Sequence, residues 1–117
     1  ELREIHVTML NAGALADASP HEIQVLQLNP NFRLVFLGGE VLSEIGLHLK
    51  QAMAPATTVT VAYANGLIAY VPSTAAHPLG GYEVDGSFHY FLRPAPFTAD
   101  CERLIVEQTT ALADRLS

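Results

Sequence analysis

Along this chain the apolar positions recur every second residue, then at helical spacing, then every second residue again, and finally at helical spacing. "EIHVTML" alternates well enough for a strand, and "NAGALADASP" after it is small, turn-rich and loop-like. "HEIQVLQL" and "FRLVFL" flank Asn29-Pro30-Asn31, which predicts a β-hairpin. The second of these runs is apolar on both faces, as a buried central strand would be. Gly38-Gly39 ends it. From Glu40 the period changes, and Val41, Leu42, Ile45, Leu49, Ala52 and Met53 mark one face of a helix that Pro55 stops. Glu44, His48 and Gln51 fall on the opposite, wet face. "TTVTVAYA" then returns to alternation through Val59, Val61 and Tyr63.

Residues 32–64 thus read strand, helix, strand, which predicts a right-handed parallel crossover. Further on, "GYEVDGSFHYFL" predicts a short hairpin around Asp85-Gly86, and "RPAPF" is extended because each proline disfavours helix in the residue before it. From Asp100, the positions Leu104, Ile105, Leu112 and Leu116 mark a closing amphipathic helix. The expectation is one α/β unit: hairpin, βαβ crossover, long loop with a short hairpin, and C-terminal helix. There is no internal repeat and no linker.

Composition narrows the chemistry more than the fold. The chain has 117 residues, half of them apolar and 15% charged, which suits one domain with a single core. Its net charge is −6 and its six basic residues are scattered, so there is no patch to hold phosphates and nucleic acid is not an expected partner. No apolar run approaches the ~20 residues that span a bilayer. The lone Cys101 argues against an internal disulfide or a cysteine metal site. The sequence starts at Glu1 with neither an initiator Met nor a signal-peptide pattern, as expected of a processed chain or a piece of a longer protein.

The crossover points to where chemistry can sit. In α/β sheets ligands lie beyond the carboxyl ends of the strands. Glu40 follows one such end; Asn65, with Tyr70 shortly after, follows the other, so the two segments should meet on one edge. Gly38-Gly39 permits close backbone approach there. By residue type alone, Glu40 also reads as an acidic first-turn residue favoured by the helix dipole, and Tyr70 as a half-buried strand aromatic. Tyr82 follows Gly80-Gly81 in a loop and is harder to assign to packing. His6, His21, His48, His77 and His89 show no metal-ligand spacing. Cys101 opens a helix without an adjacent base and reads as inert. There is no G-x-S-x-G and no phosphate loop.

"FLGGEVLSEIGLHLK", "VAYANGLIAYVPSTAAHPLGGYEV" and "RPAPFTADCERLIVE" together resemble the neutral/alkaline (non-lysosomal) ceramidase family, most closely its bacterial ceramidase-like members. The resemblance covers roughly residues 21–117 in consistent order. It implies that the chain is the final part of a larger α/β catalytic domain in a zinc-dependent amide hydrolase of sphingolipid metabolism, which splits ceramide into sphingosine and fatty acid. It further implies a lipid amide substrate and a secreted or periplasmic setting. In such a family zinc is held by two upstream histidines with a Glu and a Tyr, matching Glu40 and Tyr70. Tyr82, twelve residues after Tyr70 and followed by Glu83, matches a tyrosine near the substrate, where it would help stabilise the oxyanion. Gly39, Asn65 and Glu83 would support the loops.

Two departures matter. Gly38 stands where the family has Pro, and the histidine ligands have no counterpart. Zinc normally takes three or four protein ligands, so the chain alone should bind it poorly and be inactive. The alternative expectation is a non-catalytic α/β module that works by binding or by self-association, a homo-oligomer covering exposed apolar surface.

Overall fold

The computed structural model describes residues 18–116, so the strand expected in "EIHVTML" lies outside the described residues. The hairpin forms as its turn chemistry dictates. Strand β1 (Ile23–Asn29) pairs antiparallel with β2 (Phe32–Leu37), and Asn29 Oδ1 accepts the Asn31 N–H at 2.8 Å to close the turn. β3 (Glu40–Val41) and helix α1 (Ser43–Ala52) follow, and the chain returns as β4 (Thr57–Val61), parallel to β2. The main sheet therefore runs β1-β2-β4. A second, two-stranded parallel sheet pairs β3 with β5 (Tyr70–Val71), and helix α2 (Cys101–Asp114) closes the chain. The α/β architecture is the one the periodicity predicts.

Both helices pack on the same face of the main sheet. Val35, Leu37, Ile45, Leu49, Met53, Val71, Ile105 and Ala113 form one buried cluster, with Ile23 and Val25 packed against it. Gly46 lets α1 approach β4 closely, since a Cβ there would stand 2.9 Å from Thr60 Oγ1. The register puts Leu26, Leu34 and Val59 in one row across the opposite face, and Phe36 beside Val61 in the next. That face is open: Leu26 is 48% exposed, Val59 40% and Val61 37%.

Three expectations are corrected. The helix begins at Ser43, so Glu40 is not a first-turn residue; Glu44 takes that place. Glu40 and Val41 fit the helical period, but their backbone is captured by Tyr70 and Val71 instead. The hairpin around Asp85-Gly86 does not form. Tyr82–Gly86 is a wide helical turn and Ser87–Phe91 a tight one, and they bury Val84 and Ser87, three residues apart, at helical rather than strand spacing. In α2 the buried stripe is Glu102, Ile105, Thr109 and Ala113, while Leu104 and Leu116 lie exposed. The polar members are satisfied, Thr109 by donating to the Ile105 carbonyl at 2.6 Å.

Candidate functional site

Two glycines and a short ladder build the site. Gly38 and Gly39 carry the chain from β2 into β3, both buried. Gly39 has φ +77, a conformation that costs an L side chain energy, and its N–H donates to the Gly66 carbonyl at 2.9 Å. Next, the Glu40 N–H donates to the Ala69 carbonyl at 2.9 Å and the Leu42 N–H to the Val71 carbonyl at 3.1 Å. These bonds set the register in which Glu40 lies directly opposite Tyr70. The side chains of such neighbours stand on the same face, within mutual reach.

The neighbouring Glu40 carboxylate, first as a hydrogen-bond acceptor and then as a charge, together with desolvation, pushes the Tyr70 phenol up to about 12. Tyr70 is therefore neutral at neutral pH. Glu40 also raises the Tyr63 phenol above its ordinary value. Tyr82 stands edge-on to Tyr70, ring centroids 5.5 Å apart, with Phe91 flanking Tyr70 at 6.2 Å and Tyr90 flanking Tyr82 at 6.3 Å. An aromatic wall thus rises beside the Glu40 carboxylate.

Of the residues singled out from the sequence, Glu40, Tyr70, Tyr82 and Gly39 come together. Asn65 sits in the connecting loop at φ +59, but its amide donates to Gln24 Oε1 at 2.7 Å, which ties the loop to β1. Glu83 is exposed beside Tyr82. Tyr63 joins the site from a position that the alternation assigns to a strand. No local sequence signal marks it, because its placement depends on a backbone turn after β4.

The described histidines are engaged elsewhere. The His21 ring N–H (Nε2) donates to the Gly38 carbonyl at 2.7 Å, His77 likewise to the Phe97 carbonyl at 2.8 Å, and His48 pairs with Glu102 at 3.1 Å. His89 stacks on Phe88. For a zinc ion the described residues thus fit as half a site, two oxygen donors from Glu40 and Tyr70 and no imidazole. No group of three or more His, Cys, Asp or Glu that could hold a metal occurs among the described residues. Burial pushes the Cys101 thiol up, and the thiol donates to the Pro72 carbonyl at 3.1 Å.

A cavity of about 510 Å³ is lined by Ile68, Val71, Arg93, Phe97 and Cys101 among others, and not by Glu40 or Tyr70. No described helix is long and apolar enough to cross a membrane. No family model matches the chain, and no curated protein or solved structure gives a significant match.

Proposed function

We propose that the chain is the C-terminal portion of a zinc-dependent amide hydrolase resembling neutral ceramidase, to which it contributes Glu40 and Tyr70 as ligands. One observation supports this above the others. The two residues that the resemblance singles out, thirty positions apart, lie opposite each other on paired strands. Zinc, when bound, would polarise an amide carbonyl and supply an activated water. Glu40 and Tyr70 would hold it from one side, and histidines from outside this chain from the other. Tyr82, edge-on to Tyr70, would donate to a substrate oxygen. A lipid amide is the substrate class the resemblance implies. In the full-length protein, Glu40→Gln is expected to strip zinc and to lower amide hydrolysis by roughly 100-fold or more, while the isolated chain shows no zinc-dependent hydrolysis. Metal analysis and turnover of a ceramide would check both. A Glu40→Gln protein that kept its zinc and its activity would end this reading.

The open sheet face favours a second reading, a module that works by self-association. Leu26, Leu34, Phe36, Val59 and Val61 form an uncharged surface on which two copies of a −6 chain could meet without opposing charges. Light scattering on the isolated chain should then give a dimer that Val59→Lys dissociates. A monomer across the micromolar range would count against it.

A further inference from the structure

We propose that the outer edge of β4 pairs antiparallel with β4 of a second copy of this chain, across a two-fold axis at Val59. The inference rests on the self-association reading and gives that association a register. β4 ends the order β1-β2-β4, and no strand among the described residues lies on its far side. The Thr57 N–H donates to the Asn31 carbonyl at 2.8 Å, so Thr57, Val59 and Val61 turn their backbone groups toward β2. Those of Thr58 and Thr60 point the other way, and no hydrogen bond among the described residues uses them. The strand Thr-Thr-Val-Thr-Val has only β-branched residues, with no charge, no proline and no bulge in its register with β2. Edges are ordinarily guarded by such features, and this one is open to another strand.

A second copy fits because the edge complements itself. The two outward residues lie one on each side of Val59. An axis there sets Thr58 opposite Thr60 of the second copy, and Thr60 opposite its Thr58, each as a pair that exchanges both N–H···O bonds. Val59 then meets its own counterpart on the open face. On the helix face, Thr58 Oγ1 is buried and has no hydrogen-bond partner among the described residues. In this register it stands opposite a threonine, and Thr–Thr is a favoured cross-strand pair. A groove of about 260 Å³ runs beside the edge, lined by Gly46 and Leu47 of α1 and by Thr60 among others, with Leu47 57% exposed. Its lining holds one charged residue, Lys50, and no acid, so two copies of a −6 chain meet here without opposing carboxylates. One contact thus serves the backbone edge, the stranded hydroxyl and the exposed leucine.

The test uses the 117-residue chain at low and high concentration. Light scattering shows whether it dimerises, and amide hydrogen exchange read residue by residue shows where. Pairing through the edge should slow exchange at Thr58 and Thr60 by roughly 10-fold or more in the concentrated sample. On oxidation, Val59→Cys chains should cross-link readily and Val61→Cys chains poorly, because only position 59 faces itself across the axis. The wild-type chain, with Cys101 as its one thiol, is the control. A monomer at both concentrations removes the self-association reading and this proposal together. A dimer whose Thr58 and Thr60 amides exchange alike at both concentrations keeps that reading, on the open face, and overturns the edge. Slow exchange already in the dilute monomer overturns it as well, since the edge is then occupied without a second copy. Equal cross-linking of the two cysteine variants would overturn the register.

Discussion

Replacing Gly39 by alanine is expected to destabilise the protein by about 3 kcal/mol and to part Glu40 from Tyr70. Two costs combine. At φ +77 an L residue is strained by about 1–2 kcal/mol. The added Cβ would also lie 2.6 Å from the Ala69 carbonyl oxygen, the atom that accepts the Glu40 N–H. A backbone oxygen cannot swing away as a side chain can, so β5 must move, at a further cost of about 1–3 kcal/mol. Urea unfolding gives the stability, and the chemical shift of the Tyr70 ring reports whether the two residues remain joined. A Gly39→Ala chain with an unchanged midpoint would show that the β3–β5 ladder is not a fixed element. Gly38 makes the contrast: a Cβ there meets nothing closer than 3.5 Å, so its alanine variant should be far milder.

The second large effect is expected at Glu102, far from the site. This carboxylate is only 8% exposed and ties three segments together. One oxygen accepts the Thr74 N–H at 2.6 Å, and the other faces His48 of α1 at 3.1 Å. Glu102→Ala removes both bonds and should cost about 2 kcal/mol, the scale of hydrogen bonds to a charged group less what water returns to the half-exposed His48. Burial is the largest single influence on its ionisation and disfavours the charge. The bonds from Thr74 and His48 together outweigh it, so the folded carboxyl titrates below its ordinary 4.5. A lowered acid stabilises the fold at pH values above the unfolded value. That contribution fades as pH falls through the folded one. Unfolding midpoints should therefore drop on acidification below about pH 5, and Glu102→Gln should flatten the drop. Identical slopes in the two proteins would exclude Glu102 as the source.

How much of this could be read in the sequence depends on the length of the pattern. The hairpin and the crossover rest on runs of five residues or more, and Ile23–Asn29, Phe32–Leu37 and Thr57–Val61 form as the alternation predicts. The meeting of Glu40 and Tyr70 was legible from topology, because both follow the carboxyl ends of parallel strands. What failed was short or conformational. A two-residue strand has no period, so Glu40–Val41 was absorbed into the helix that begins at Ser43. Asp85-Gly86 is good hairpin chemistry, but a turn needs two strands, and Val84 and Ser87 went to the core instead. The closing helix buries a carboxylate and a threonine on a stripe that apolarity assigns to leucines. Tyr63 fits alternation perfectly well on paper. Nothing in a tyrosine announces positive φ.

The ladder between Glu40 and Tyr70 also makes a statement about chain length. Residues 62–69 join β4 to β5, and their number fixes which residue faces Glu40. Side chains alternate along a strand, so one inserted residue would present Ala69 to the carboxylate, one deleted residue Val71, and either would turn the phenol to the other face. Relatives that keep this site should therefore hold that connection constant to the residue. The stretch from Thr74 to Asp100 carries no such count, and gaps in an alignment would be expected to gather there.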